Sequence, residues 1–255
     1  MVLGLLGAVF GAILAYASKL FMAKTDDRIS EIEGILPNVN CGACGYIGCA
    51  DYAKAVVKDN ASLYSCVACD FTVTQKIADI MGKSVQEKEK QKAVVMCRGN
   101  KMNATSKFKY IGLKDCLSAS QIGGGFKYCD YGCLGYGNCM RTCKFNAISI
   151  VNGAAVIDDK LCTGCGMCSK SCPKNIIEMV NYSSNIFITC CSHNKAAETK
   201  SYCAVGCISC GQCVKTCPNK AIKIDRLNAS IDSYLCDGCG KCIEVCPTGA
   251  VVDRR

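Results

Sequence analysis

The chain has 255 residues, among them 26 cysteines, one histidine and no tryptophan. Runs of C-x2-C-x2-C put three sulfurs on one tight loop, which favours iron–sulfur clusters over a disulfide framework, and the single histidine excludes bis-histidine haem and histidine-rich zinc sites. The formal charge of +9 counts cysteine as neutral. Six [4Fe-4S] clusters, each at about −2 with its thiolates, would reverse that charge, so we expect the basic residues to balance clusters and not to bind nucleic acid.

The amino terminus predicts a membrane anchor over residues 1–24. Its first 18 residues carry no charge, and about 22 apolar residues at 1.5 Å each span the bilayer core. Residues 15–17 (AYA) also fit a signal-peptide cleavage site, but no basic region precedes them. Because Lys19, Lys24 and Arg28 follow the run and none precede it, we expect a single-pass helix in the cell membrane with a cytoplasmic body.

The next segment carries a cysteine-rich loop, LPNVNCGACGYIGC. Its C-x2-C-x4-C spacing, followed by one remote cysteine, supplies four ligands for one [4Fe-4S] cluster. Those ligands are Cys41, Cys44, Cys49 and Cys66. The loop leads into a predicted amphipathic helix from about Ala50 to Lys58. We therefore assign residues 30–82 to a small [4Fe-4S] domain.

The rest of the chain is a duplication. Past residue 115 the cysteines repeat at an offset of 74 residues, as from Cys162 to Cys236. Such internal repetition predicts two tandem bacterial-type 2[4Fe-4S] ferredoxin-like modules, at 92–186 and 187–255. Within the first module, AISIVNGAAVID predicts a hairpin that turns at Asn152-Gly153. The expected fold class is α+β.

In bacterial two-cluster ferredoxins the fourth cysteine of each run ligates the other cluster. This rule predicts three complete ligand sets in the two modules. They are Cys162, Cys165 and Cys168 with Cys143; Cys207, Cys210 and Cys213 with Cys246; and Cys236, Cys239 and Cys242 with Cys217.

A fourth set lacks one cysteine, because Tyr136 aligns with Cys210 of the second copy. The nearest replacement along the chain is Cys129, four residues before Cys133. The predicted set is therefore Cys129, Cys133, Cys139 and Cys172. The alternative is a three-cysteine [3Fe-4S] site.

Six cysteines remain: Cys69, Cys97, Cys116, Cys190, Cys191 and Cys203. The segments KAVVMC and NIFITC each predict a buried strand that ends in cysteine, so Cys97 and Cys190 are expected side by side. Adding Cys116 and Cys203 makes a sixth tetrathiolate site; the alternative is four buried free thiols. We expect Cys69 and Cys191 not to be ligands, and five or six [4Fe-4S] clusters in total.

The chain resembles the RnfB family in three features: the uncharged amino-terminal helix, the LPNVNCGACGYIGC loop and the ferredoxin modules. Members of this family are subunits of the Rnf complex, a membrane-bound, ion-pumping ferredoxin:NAD+ oxidoreductase. The resemblance covers essentially the whole chain, in the longer form found in anaerobes. One departure is CVACDF after Cys66, where the family usually has a proline-glycine turn; it leaves the role of Cys69 open. The resemblance implies an electron-relay subunit of a Na+ or H+ translocase, taking electrons from reduced ferredoxin and passing them to membrane and flavin-bearing subunits.

Two other functions fit the cysteine pattern. One is a polyferredoxin subunit of a membrane-bound hydrogenase or other reductase, and the other is a zinc-stapled interaction protein, which would be colourless. A substrate-converting site of the chain's own is not expected, since residues 123–125 (GGG) lack the strand-to-helix context of a dinucleotide-binding loop.

Overall fold

The computed structural model describes residues 2–21, 26–87 and 89–255. The amino-terminal segment forms one helix, α1 (Val2–Phe21), and residues 22–24 of the predicted anchor lie outside the described part. Among the helices in the described ranges, none has both the length and the apolar character needed to cross a bilayer. The predicted transmembrane helix is therefore wrong: the prediction counted about 22 apolar residues, whereas α1 ends at Phe21 and its last turn already includes Ser18 and Lys19.

Three helices form a small bundle after α1. They are α2 (Asp27–Ile35), α3 (Cys49–Lys58) and α4 (Phe71–Ile80). Ile32, Tyr52 and Ile77 fill the space between them and are almost completely buried. The predicted amphipathic helix is confirmed as α3, which starts one residue early because Asn40 Oδ1 accepts a hydrogen bond of 2.8 Å from the backbone N–H of Cys49. This bond fixes the cysteine loop to the start of the helix.

Four two-stranded antiparallel sheets and six short helices make up the remainder of the described chain. The strands pair as β1 (Gln91–Val95) with β4 (Ile177–Asn181), β2 (Ile148–Val151) with β3 (Ala154–Ile157), β5 (Ile186–Ile188) with β8 (Val251–Asp253), and β6 (Ile222–Asp225) with β7 (Asn228–Ile231). The helices are α5 (Cys116–Gln121), α6 (Asn138–Thr142), α7 (Met167–Lys170), α8 (Ala196–Tyr202), α9 (Gln212–Thr216) and α10 (Lys241–Glu244). Each copy of the repeat thus contains one outer sheet, one inner hairpin and short helices between the cysteines.

The inner hairpin of the first copy is confirmed. Val151 pairs with Ala154, and the two turn residues Asn152 and Gly153 have φ of 49° and 77°, the left-handed pair that a two-residue hairpin turn requires. In the second copy Arg226 and Leu227 occupy the same two positions with φ of 44° and 64°. The repeat has kept this backbone turn even though its sequence no longer favours it.

The two copies contact each other along their outer sheets. Val94 and Met96 at the end of β1 pack against Phe187 of β5 in a small shared core. Beside it, Asp159 accepts a hydrogen bond of 2.6 Å from Arg254, which follows β8, and pairs with the buried Lys92 of β1 at 3.0 Å. The carboxyl terminus of the second copy is thereby tied to the first.

Candidate metal centres

All 26 cysteines are free thiols. In the described ranges, no three or more His, Cys, Asp or Glu side chains converge closely enough to hold a single metal ion. The cysteines instead line small cavities, and four of these cavities are each lined by at least four cysteines. A set of four thiols around a cavity is the donor chemistry that a [4Fe-4S] cluster takes.

The amino-terminal cavity lies at the start of α3. Its cysteines are Cys41, Cys44, Cys49 and Cys66. Gly42 has a φ of 71°, so the loop can turn between Cys41 and Cys44 without a side-chain clash. The structure thus brings the four cysteines of this loop and its remote partner to one place.

Cys69 has a role that sequence reasoning missed. Its sulfur lies 3.2 Å from the sulfur of Cys66, outside the wall of the cavity. The hydrogen bond from the Cys69 thiol lowers the pKa of Cys66 to about 6, whereas the same contact together with burial raises the pKa of Cys69. Cys69 therefore remains protonated and stabilises Cys66 as a thiolate. The C-x2-C spacing of CVAC was the signal in the sequence.

This arrangement predicts the effect of two Cys69 variants. Cys69→Ala should leave the amino-terminal cluster in place but lower its midpoint potential by roughly 40 mV, because a hydrogen bond worth about 1 kcal/mol to a ligand sulfur favours the reduced cluster. Cys69→Ser keeps a donor at that position and should shift the potential less. A redox titration followed by EPR measures both; complete loss of the cluster in Cys69→Ala would instead make Cys69 a ligand.

The cavity of the first module is completed by a cysteine from α5. Its cysteines are Cys116, Cys133, Cys139 and Cys172. The backbone N–H of Cys116 donates to Asn138 Oδ1 at 2.8 Å, which fixes the start of α5 against α6, the helix that carries Cys139. Tyr136 is not part of this cavity; its ring lies against Tyr110 and Phe126, with centroids 5.7 and 5.6 Å away.

Cys129, the replacement expected from the sequence, lies in a different cavity. Its carbonyl accepts a hydrogen bond of 3.0 Å from the N–H of Gly132, so the four residues up to Cys133 form a turn that separates the two thiols. Cys129 lines the cavity between the two modules, which has five cysteines around it. The other cysteines around that cavity are Cys97, Cys190, Cys191 and Cys203. The expected proximity of Cys97 and Cys190 is confirmed, since they face each other in an antiparallel bridge.

The second module has one comparable cavity. It is lined by Cys207, Cys210, Cys213 and Cys246. Cys246 comes from the second cysteine run of its module, the run that begins at Cys236. Cys172 likewise comes from the second run of the first module, which begins at Cys162.

Two further groups of four cysteines lie close together beside these cavities. In the first module, burial raises the pKa of Cys168 to about 11, and the neighbouring thiols that add to this effect are Cys165, Cys162 and Cys143. In the second module, burial again raises the pKa of Cys242 to about 11, with Cys236 and Cys239 adding to it. Cys217 lies in the same core. These groups follow the repeat, one in each copy.

Backbone N–H groups point at several of these sulfurs. The N–H of Ala155 donates to Cys133 at 3.4 Å, that of Ala93 to Cys162 at 3.4 Å, and that of Ala221 to Cys217 at 3.3 Å. Such bonds stabilise thiolates that carry the negative charge of a cluster. Because burial raises the pKa of the free thiols, for Cys139 to about 12, the uptake of iron releases protons and is coupled to folding.

Comparison with known families agrees with this donor set. Three family models match: "Putative Fe-S cluster" over residues 36–68, "4Fe-4S binding domain" over residues 155–178 and "4Fe-4S dicluster domain" over residues 206–250. Each range contains cysteines of one or more of the groups above. The chain therefore carries domains of the [4Fe-4S] type.

Full-length relatives extend the likeness to most of the chain. It is 41% identical to the subunit designated B of the proton-translocating ferredoxin:NAD+ oxidoreductase complex of Clostridium ljungdahlii, over 92% of this chain and 84% of the relative. It is 38% identical to the corresponding subunit of an ion-translocating oxidoreductase complex of Methanosarcina acetivorans, over 92% and 89%. For the corresponding subunit of the Na+-translocating ferredoxin:NAD+ oxidoreductase complex of Acetobacterium woodii the identity is 36%, over 92% and 71%. The resemblance seen in the sequence is confirmed, and the chain belongs to the RnfB family of the ion-translocating ferredoxin:NAD+ oxidoreductase (Rnf) complexes.

Proposed function

We propose that the chain takes electrons from reduced ferredoxin and passes them, one at a time, to redox centres of the other subunits of its complex, including those that carry flavin. Family membership and the [4Fe-4S] domains support an electron-transfer subunit of a membrane-associated Rnf complex. The relay itself is supported by the arrangement of the cysteine groups, because each group has another group as its neighbour in the fold.

Five ligand sets carry this proposal. They are Cys41, Cys44, Cys49 and Cys66; Cys143, Cys162, Cys165 and Cys168; Cys116, Cys133, Cys139 and Cys172; Cys207, Cys210, Cys213 and Cys246; and Cys217, Cys236, Cys239 and Cys242. When bound, a [4Fe-4S] cluster supplies a one-electron carrier to each set. The protein would hold the carrier and donate backbone N–H groups to its sulfurs.

The observation that carries the proposal is that the cysteine groups are neighbours. The charge of Cys41, in the amino-terminal group, acts on Cys165 of the first module. Cys139 and Cys172 lie together in the first module although they come from different runs, and Cys213 and Cys246 do so in the second. Electrons can therefore pass between groups within each module and from the first module to the amino-terminal domain.

The exposed end of the relay is the second module. Cys210 and Cys239 are exposed, whereas every cysteine of the first module is buried or half-buried. A soluble electron donor has to bring its own cluster close to one of the carriers. We infer that reduced ferredoxin docks on the second module, 187–255, and that electrons leave from the amino-terminal domain, 30–82.

This proposal predicts the iron content and the redox behaviour of the subunit. Full-length protein, purified without oxygen together with its partner subunits, should contain about 20 to 24 irons per chain, since a [4Fe-4S] cluster holds four. Reduced ferredoxin should bleach its visible absorbance. Fewer than about 12 irons, or stoichiometric zinc, would contradict the cluster assignment, and full iron with no reaction with ferredoxin would contradict the relay.

A further inference from the structure

We propose that a sixth [4Fe-4S] cluster is held where the two ferredoxin modules meet, and that it bridges their electron paths. Its ligands are Cys97, Cys129, Cys190 and Cys203. The binding site stands on geometry alone, while its role as a bridge rests on the proposed relay function.

The four cysteines come from four separate segments that the fold brings together. Cys97 follows β1 and Cys190 follows β5, and the two face each other in an antiparallel bridge. Cys203 ends α8 and forms a second bridge with Ala104. Cys129 approaches from the loop before Cys133, and its thiol lies near those of Cys97 and Cys203. No run of sequence shows this set.

The space between them suits a cluster. The cavity is lined by five cysteines, against four for each of the three other cysteine-lined cavities. A Cβ atom added to Gly99 would lie 3.5 Å from the sulfur of Cys97 and 3.9 Å from that of Cys203. Glycine at this position leaves the cavity open between two of the ligands.

A buried cation lies next to this cavity. Lys127 is 3% exposed, and its ammonium group donates to the carbonyl oxygens of Gly99 and Cys133. Among the residues that the structure describes, no carboxylate is within ion-pair distance of it. Because a buried charge needs an opposite charge nearby, the anionic group that balances Lys127 has to come from the cysteines around it.

The sulfur of Cys97 already accepts two backbone hydrogen bonds. The N–H of Gly99 donates to it at 3.4 Å and the N–H of Cys133 at 3.3 Å. This is the pattern of the sulfurs of Cys133 and Cys162 in the first module, and it stabilises a thiolate bound to a cluster. Four incidental free thiols would not need such donors.

The fifth cysteine of the cavity is excluded by its own contact. The thiol of Cys191 points at the carbonyl oxygen of Tyr131, 3.6 Å away, so it donates its proton to that oxygen. This contact already engages the Cys191 thiol as a donor, so Cys191 offers a control variant within the same cavity.

The site has a direct contact with a cluster ligand of each module. On one side the N–H of Cys133, a ligand in the first module, donates to the sulfur of Cys97. On the other side the backbone N–H of Cys207, a ligand in the second module, donates to Cys190. One electron would enter through Cys207 and Cys190 and leave through Cys97 and Cys133, with no bond broken and no proton transferred. The six groups then form one continuous path.

Two ligand variants and one control test the site in the full-length chain within its complex. Cys129→Ala and Cys203→Ala, which come from different segments, should each lower the iron content by about four per chain, with the EPR signals of both modules retained. Cys191→Ala should keep all of its iron. The site is overturned if both ligand variants keep full iron, or if they lose one zinc instead.

The bridge is tested separately by the path of the electrons. In the two ligand variants, reduced ferredoxin should still reduce the clusters of the second module, while reduction of the amino-terminal cluster should fall to a small fraction of the rate in Cys191→Ala. Unchanged reduction of the amino-terminal cluster despite the loss of four irons would overturn the bridge but not the site. If ferredoxin reduces nothing in the unmodified protein, the proposed function fails, whereas the iron loss still supports the site.

Discussion

Cys116→Ala should convert the first cluster of module one to a three-iron form, and Tyr136→Cys should restore it. Cys116 lines the cavity with Cys133, Cys139 and Cys172, and its charge acts on Cys139. Removing it leaves three thiolates, which hold three irons of the cube. EPR of the oxidised protein measures the outcome, since a three-iron cluster gives a signal that an oxidised four-iron cluster lacks.

The double variant tests whether the lost position can be recovered. Tyr136 stands where the second copy has Cys210, and it is flanked by Gly135 and Gly137 with φ of 70° and 77°, close to the 75° of Gly211 in the second copy. The backbone of the loop is thus kept, so a cysteine at 136 can reach the cavity. Cys116→Ala with Tyr136→Cys should return the four-iron form.

Tyr136→Cys alone is the matched control and should leave the four-iron cluster unchanged, because Cys116 still occupies the fourth position. It also measures the effect of removing the ring from its contacts with Tyr110 and Phe126. If the three-iron signal arises from Cys129→Ala and not from Cys116→Ala, the sequence-based assignment of Cys129 is right and the cavities have been assigned to the wrong cysteines.

The pairing of Cys116 with this cavity shows where sequence reasoning stops. The runs of closely spaced cysteines, the hairpin at Asn152-Gly153 and helix α3 follow from local spacing and turn chemistry, and a sequence carries these directly. The fourth ligand depends on how the chain from residue 98 to 115 returns to the module, and no local rule gives that path. Cys129 is nearer in sequence, but a turn at Gly132 points it to the other side.

The anchor was mispredicted for a related reason. A count of apolar residues fixes the composition of a segment but not where its helix ends, and the described helix ends at Phe21. By contrast, the adjacency of Cys97 and Cys190 was predictable, because both end apolar strand patterns. What could not be predicted was that Cys129 joins them, since this depends on the contact between the two copies.

That contact carries the second large prediction: Asp159→Ala should lower the free energy of unfolding by about 3–5 kcal/mol, because it leaves a buried ammonium group without its counter-charge. Lys92 is 3% exposed at its side chain, and Asp159 is its partner at 3.0 Å. The same carboxylate also binds Arg254, so the variant weakens the tie between the carboxyl terminus of the second module and the first, leaving Arg254 only its bond of 2.6 Å to the carbonyl oxygen of Ile157. Loss of the visible absorbance against urea concentration, without oxygen, measures the change.

Asp225→Ala is the matched control, because Asp225 and its partner Arg226 are both largely exposed and 3.8 Å apart, and exposed pairs add little stability.

The double variant Asp159→Ala with Lys92→Met decides between two causes of the lost stability, the uncompensated charge of Lys92 and the broken bond to Arg254. If the loss arises from the uncompensated charge of Lys92, removing that charge should recover much of the stability, since apolar side chains can replace a buried ion pair. The recovery should be incomplete, because the ammonium also lies over the rings of Tyr182 and Phe187, at 5.2 and 5.8 Å, and because Arg254 still lacks its carboxylate partner. If the double variant is as unstable as Asp159→Ala, the loss comes from the broken bond between Asp159 and Arg254, and the uncompensated charge of Lys92 is secondary.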